Sequence, residues 1–315
     1  MPKVSVIITT YNRAVLLDRA INSVFNQTYK DYELVIVDDG STDHTQDIIK
    51  RYDGRLKYIY QKNAGLPQAR NMGIRNTHGK YICFLDDDDY WTSQKLEIQV
   101  KILDENNHIG IVYGKMPVVN DYGQQTGIMP DYESGNNFND LIIKGGMYPP
   151  SSVMTRRECF DKSGLFDDIV PVEDFDMWLR IVRYYDAFEV KEPVLGYYFR
   201  ERDRQQRNKI KMYSAQVRLY RKILVSYDDI PRRIVEKKLA RFLYLLAQAY
   251  EERGKYALAL TSYRDAIAFY PFVGRFFFWE KDGLVKKILK SFRPFVHFMC
   301  CYLKYVRAKG QGSPN

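Results

Sequence analysis

Between residues 4 and 91 the chain alternates short aliphatic and β-branched runs with segments whose apolar positions recur every three to four residues. Val4 to Thr10 (VSVIITT) predicts a strand, and after the YNR turn Val15, Leu16, Ala20, Ile21, Val24 and Phe25 share one side of a helix. The unit then repeats. Leu34 to Val37 reads as a buried strand, Asp38-Asp39-Gly40-Ser41 as a turn, and Ser41 or Thr42 as the cap of a helix over Thr45 to Tyr52. LKYIYQ followed by AGLPQARNMGIRN gives a third unit, and YICFL, running into Asp86-Asp87-Asp88-Asp89, a fourth strand.

Strands separated by helices of about ten residues predict parallel βαβ units and an open α/β sheet, mainly parallel and flanked by helices. Ligands of such sheets lie outside the carboxyl ends of the strands. Every unusual polar cluster of the N-terminal part falls at such an end: Thr10-Tyr11-Asn12-Arg13, Asp38-Asp39, Asn63 to Arg70, and Asp86 to Asp89. Four loops are therefore expected to converge.

Beyond a helix at about residues 93–106 the pattern is less regular. IGIVYGKMPVVNDYGQQTG predicts two strands about a turn at Asp121-Tyr122-Gly123, and GGMYPPSSVMT a loop entering a strand. In VEDFDMWLRIVRYY, the residues Phe175, Trp178, Leu179, Val182 and Tyr185 fall at helical spacing, which places Glu173 and Asp174 in the first turn. Asp176 and Arg180, four apart, read as a surface ion pair. Residues 203–270 read as successive helices, within which LLAQAYEERGKYALALTSYRDAIAFYP resembles one tetratricopeptide repeat, through Leu246, Ala247, Tyr250, Gly254, Ala259, Tyr263, Ala266 and Pro271. One repeat cannot bury its own face, so a hairpin packed on neighbouring helices is expected. Residues 271–315 form a basic, aromatic tail.

Charge separates the two ends of the chain. The net charge is +9, but residues 201–315 hold 25 Lys/Arg against 10 Asp/Glu, while residues 1–200 hold 23 against 29. A basic tail on an acidic body suggests tethering to an anionic surface, membrane or nucleic acid. From Phe272 to Arg307 aromatic and aliphatic residues interleave with Lys286, Lys287, Lys290, Arg293, Lys304 and Arg307, the composition of an interfacial membrane helix. No nucleic-acid recognition motif accompanies them, so nucleic acid is not expected as a partner. The four cysteines show neither CxxC spacing nor the density of a disulfide scaffold, which fits a reducing, cytoplasmic setting. Neither a secretory signal nor a spanning apolar run is evident.

Four adjacent acids at the end of a buried strand repel one another. A divalent cation, which wants several hard oxygens at one point, explains them more simply than a solvated acidic turn does. With TTYNR, VDDGSTD, GLPQARN, FLDDDD and VEDFDMWLR in this order, residues 1–200 closely resemble the family 2 glycosyltransferases of the GT-A fold. The resemblance implies a GT-A catalytic domain over residues 1–202, a helical extension over 203–270 with one tetratricopeptide-like hairpin, and the tail 271–315. It further implies a nucleotide-diphosphate sugar donor, with a UDP-sugar expected, inversion at the sugar, Mn2+ or Mg2+ as cofactor, and a glycan or lipid-linked saccharide acceptor.

Site residues follow from the motifs. Thr10 and Tyr11 resemble part of the nucleotide pocket, Asp39 the acid facing the base, and Arg70 the arginine near the phosphates. Asp86 and Asp88 form the DXD pattern, with Asp86 toward the ribose and Asp88 on the metal, while Asp89 is a further candidate and Asp87 fills the variable place. Asp174 matches the catalytic base, and Glu173 beside it an acceptor contact or loop-orienting group. The Q-x-x-R-W motif of processive synthases is absent, so transfer of one sugar is expected. Arg200 and Arg202 stand where relatives often carry a histidine near the metal or phosphates. Two rivals remain: a nucleotidyltransferase, disfavoured because TTYNRAVLL lacks glycines, and a non-catalytic scaffold on a relict transferase domain.

Overall fold

The computed structural model describes residues 1–120, 124–127, 137–144, 148–191, 195–199, 208–270 and 293–310. The turn expected at Asp121-Tyr122-Gly123, the candidates Arg200 and Arg202, and residues 271–292 of the tail lie outside the described residues. The chain forms two compact units, Met1–Arg204 and Gln205–Asn315.

The first unit runs β1 (Val4–Thr10), α1 (Ala14–Phe25), β2 (Tyr32–Asp38), α2 (Thr45–Lys50), β3 (Lys57–Tyr60), α3 (Leu66–Arg75), β4 (Tyr81–Asp86), β5 (Tyr90–Trp91), α4 (Lys95–Glu105), β6 (Ile109–Gly114), β7 (Val118–Val119) and β8 (Gln125–Gly127). It continues through α5 (Phe138–Lys144), a 3-10 turn at Pro150–Ser152, β9 (Met154–Arg156), α6 (Glu158–Ser163), α7 (Glu173–Ile181), β10 (Asp186–Val190) and β11 (Gly196–Phe199). Seven strands form one sheet in the order β10-β6-β9-β4-β1-β2-β3. All its pairings are parallel except those of β9, which runs antiparallel to both β4 and β6. The expected open, mainly parallel sheet is present, with this one reversed strand inserted.

Every residue of β1 is buried, as a central strand covered on both faces requires. Val4, Val6 and Ile8 join Leu17, Ile21 and Val24 of α1 and Leu96 and Val100 of α4 in one cluster. On the opposite face Ile7 meets α3 at Gly73, where any Cβ would overlap the Ile7 side chain. From β1 the chain extends to β2 on one side and β4 on the other, so the strand order switches between β1 and β4. A crevice at the carboxyl ends of these two strands is the expected ligand site.

The region expected to hold two strands, residues 109–127, holds three among its described residues, β6, β7 and β8. β5, β11, β7 and β8 make a second, four-stranded sheet. Since β4 ends at Asp86 and β5 begins at Tyr90, Asp87 to Asp89 form a short link fixed at each end to a different sheet. The helix expected to reach Tyr52 stops at Lys50, and its first amide is met by Asp43: Thr45 N donates to Asp43 Oδ1 at 3.0 Å.

Among the described residues the second unit comprises α8 (Lys209–Ser226), α9 (Arg232–Glu252), α10 (Tyr256–Phe269) and α11 (Arg293–Gly310). α9 and α10 form a hairpin about Gly254, whose φ of +70° favours glycine. Of the repeat signature, Leu246, Ala247, Ala259, Tyr263 and Ala266 are buried, Tyr250 is half-buried and Gly254 is exposed at the turn, while Pro271 lies outside the described residues. α8 packs on α9 and α11 on α10, which supplies the cover that a single hairpin lacks. No helix among the described residues is long and apolar enough to cross a membrane.

Candidate active site

The acidic link lies across the switch in strand order. At the end of β1, Thr10 Oγ1 donates to Asp87 Oδ2 at 2.8 Å, and Arg13 Nη1 donates to Asp87 Oδ1 at 2.9 Å. Asp87 therefore fastens the β4 loop to the β1 loop, a role that its variable place in the motif did not suggest. Burial pushes its carboxyl up to about 6 against the opposing pull of Arg13 and Thr10. Arg13 Nη1 also stands 3.4 Å from Asp88 Oδ2, and Arg19 Nη2 donates to the Asp88 carbonyl at 2.7 Å.

The β2 loop joins from the other side of β1. Asn12 has φ +54°, a left-handed conformation that asparagine tolerates better than most residues. The position is secured at both ends, because Asn12 N donates to Ser41 Oγ at 2.9 Å and Thr42 N donates to Asn12 Oδ1 at 2.7 Å. Asp39 is buried and gathers the loop after β3: Oδ1 accepts from Gln61 Nε2 at 2.6 Å and from Ala64 N at 2.8 Å, and Oδ2 accepts from Gly65 N at 2.9 Å. A carboxylate offers about four acceptor positions, so Asp39 retains capacity for one more donor. Tyr11 is 48% exposed, whereas Thr10 before it is buried.

Arg70 is the buried link between the acid turn and α7. Its side chain is 2% exposed; Nη2 donates to Asp86 Oδ1 at 2.9 Å and Nη1 to Glu173 Oε1 at 3.1 Å. Against the pull of burial, the charges of Asp86, Glu173 and Asp174 hold its guanidinium above the usual range. Glu173 is raised by burial in spite of Arg70. Asp174, half-buried at the start of α7, is pushed up to about 7 by burial and then by the Glu173 charge. The expected first-turn pair thus divides into a glutamate committed to Arg70 and an aspartate whose carboxylate accepts from Phe175 N at 2.7 Å.

Asp86, Asp88 and Asp89 each offer a carboxylate oxygen within 4.8 Å of the others. Three hard anionic oxygens at that separation fit Mg2+ or Mn2+, and no soft ligand stands among them. Two further contacts hold the set in place: Ser151 Oγ donates to Asp89 Oδ2 at 2.5 Å and accepts from Asp86 N at 3.0 Å. Trp91 Nε1 donates to the Ser151 carbonyl at 2.7 Å, which anchors the same serine from β5.

Thr10, Asp39, Arg70, Asp86, Asp88, Asp89, Glu173 and Asp174 are thus joined directly or through shared neighbours at the carboxyl ends of the central strands. Arg13, Asp87 and Ser151 belong to the same assembly without having been assigned a role in the sequence. Arg13 lies in the TTYNR motif and so was within reach, whereas nothing in PPSS marks a serine that will meet an acid 62 positions away. Asp176 and Arg180 do pair, at 2.9 Å, but the pair is not on the surface: the side chains are 3% and 13% exposed. Arg180 turns inward because it also donates to the carbonyls of Ser163 and Leu165, tying α7 to the preceding loop.

The family model for glycosyl transferase family 2 matches residues 5–164, and the chain belongs to that family. An uncharacterized glycosyltransferase of Rickettsia felis is 39% identical over 182 residues, which cover 57% of this chain and 30% of that protein. The chain thus spans under a third of that relative. The UDP-Glc:alpha-D-GlcNAc-diphosphoundecaprenol beta-1,3-glucosyltransferase WfgD of Escherichia coli is 32% identical over 184 residues, 57% of this chain and 70% of WfgD. Among solved structures, Staphylococcus aureus TarS 1-349 in complex with UDP-GlcNAc superposes with a TM-score of 0.67 at 20% identity, covering 99% of this chain and 92% of that one. The mannosyltransferase PcManGT of Pyrobaculum calidifontis, in complex with GDP-Man and Mn2+, gives 0.57 at 18% identity, covering 99% and 88%. These likenesses show the GT-A fold.

Proposed function

We propose that the chain is an inverting glycosyltransferase that moves one sugar from a nucleotide-diphosphate donor, UDP-linked, to a hydroxyl of a glycan or lipid-linked saccharide, with residues 1–202 as its catalytic portion. The observation that carries the reading is Arg70, whose one guanidinium joins Asp86 of the acid turn to Glu173, so that Asp174 stands beside the cluster rather than elsewhere on the sheet.

In this reading Thr10 and Tyr11 border the nucleotide, and the spare acceptor position of Asp39 takes the base N–H. Asp86 faces the ribose, and Arg70 offsets the negative charge of the diphosphate. Asp88, with Asp86 and Asp89 beside it, would hold Mn2+ or Mg2+, a Lewis acid that stabilises the charge developing on the leaving diphosphate. The acceptor oxygen attacks the sugar carbon from the face opposite the diphosphate. The carbon–oxygen bond to phosphate breaks with its electron pair leaving on the diphosphate, and the acceptor proton passes to an Asp174 carboxylate oxygen. A carboxylate pushed up to about 7 is a stronger base than an ordinary aspartate and is still substantially ionised near neutrality.

WfgD, named for a UDP-glucose donor and a diphosphoundecaprenol-linked acceptor, supports a UDP-sugar and a lipid-linked acceptor for this chain. Such an acceptor would place the enzyme at the cytoplasmic face of the membrane as a peripheral protein, with residues 203–270 a helical extension and 271–315 its basic tail. The test is UDP release from a panel of UDP-sugars with lipid-linked saccharides, with and without EDTA. Full activity in EDTA, or in Asp88→Ala, would refute the metal assignment.

A further inference from the structure

The outward face of α11 is apolar, the reverse of what a surface helix normally presents. Phe295, Val296, Met299, Tyr302, Leu303 and Val306 are 41%, 54%, 54%, 46%, 64% and 48% exposed. They are not scattered: at 100° per residue these positions spread over an arc of about 120° on one side of the helix. The opposite side is the one that packs. Cys301 is buried, His297 Nδ1 lies 3.0 Å from the Tyr244 hydroxyl, and Lys304 Nζ donates to Glu251 Oε1 at 2.7 Å.

Charge selects the partner: residues 205–315 hold 23 Lys/Arg against 8 Asp/Glu, and Arg293–Gly310 contains no acid at all. Such a unit repels a second copy of itself and is drawn to a surface of opposite sign. The helix has 18 residues and is not long and apolar enough to cross a membrane, so contact with a bilayer would be along its surface.

We infer that the Phe295–Val306 face of α11 docks the protein on an anionic phospholipid bilayer, the apolar arc entering the headgroup boundary while Arg307, exposed beside it, meets lipid phosphate. The inference deepens the proposed reaction, since it rests on the reading of a lipid-linked acceptor and names the surface that would bring the enzyme to it.

The experiment is flotation of the full chain with vesicles of pure phosphatidylcholine and of phosphatidylcholine with 30% phosphatidylglycerol, for the native sequence and for Met299→Ser/Leu303→Ser. The native chain should float with the anionic vesicles, at least about tenfold more strongly than with neutral ones. The double variant should lose about tenfold of that binding, as expected for two exposed apolar side chains that no longer insert. Its melting temperature and UDP affinity should not move, because the replaced groups face outward. Undiminished vesicle binding by the variant would overturn the inference. So would sedimentation velocity showing that the native chain self-associates and the variant does not, which would give the face to a second copy. UDP binding is read separately, so loss of docking with intact donor binding, or the reverse, distinguishes failure of this inference from failure of the proposed reaction.

Discussion

Arg13 Nη1 stands 3.4 Å from Oδ2 of Asp88, one of the three carboxylates that converge on a point. A guanidinium there neutralises the turn but competes with any divalent ion for the Asp88 carboxylate. Arg13 is 31% exposed, so solvent weakens the effect, and the competition is worth on the order of 1 kcal/mol, about fivefold in affinity. Arg13→Gln is therefore expected to bind Mn2+ about fivefold more tightly when titrated calorimetrically without nucleotide. Weaker Mn2+ binding would mean that Arg13 serves only to hold Asp87.

Removal of Arg70 should cost both stability and activity. Arg70→Ala leaves Glu173, 5% exposed at its side chain, without its counter-ion, and breaking one partner of a buried pair costs about 3–5 kcal/mol. Urea denaturation should show the loss. Arg70→Met/Glu173→Gln, which removes both charges, should recover much of it, with a coupling energy above about 1 kcal/mol. Simple additivity of the two single variants would contradict the bridge.

The raised pKa of Asp174 makes a signed prediction about pH. An acid whose folded pKa exceeds its unfolded value, here about 7 against 3.8, binds the proton more tightly when folded. Its contribution to stability is therefore complete below about pH 4 and is lost as pH rises through about 7. Asp174→Asn should accordingly melt higher than the native protein at pH 8, by about 2–4 °C, and together with it near pH 4. Equal melting curves at pH 8 would show that the charge at Asp174 is not costly.

Gly40 follows Asp39 with φ +87°, and a Cβ there would stand 2.8 Å from the backbone nitrogen of Asn63. Gly40→Ala is strained twice, in φ and by contact with backbone that cannot rotate away. Asp39 holds Ala64 and Gly65 through this same loop, so the variant should weaken UDP binding about tenfold while Asp174→Asn does not. Calorimetry with UDP distinguishes the two.

The βα units and the loops at their carboxyl ends were legible because each strand is an uninterrupted apolar run ending abruptly in polar residues. A strand after GGMYPPSS was expected, but the antiparallel seat of β9 between β4 and β6 was not legible, since it depends on partners distant in sequence. The buried cations were also hidden. Arg70, Lys95 and Arg156 are each at most 4% exposed, yet a lone Lys or Arg in a sequence reads as a surface residue. Lys95, pushed down to about 8 by burial, lies over the Trp91 ring at 4.1 Å and donates to Gln99 at 2.5 Å, a set of contacts that no spacing rule anticipates. The contacts of Asp87 were hidden for a related reason, because alternation within a run of acids says which carboxylates resemble a motif but not which one turns back to Thr10 and Arg13.

The central proposal, that the site at the carboxyl ends of β1 and β4 transfers a sugar with Asp174 as base, is tested most directly by UDP release from a UDP-sugar in the presence of Mn2+ and acceptor, comparing the native chain with Asp174→Asn. The expected result is unchanged donor affinity with turnover reduced by about a hundredfold or more, the size of a lost general base. Turnover by Asp174→Asn at the native rate would contradict it.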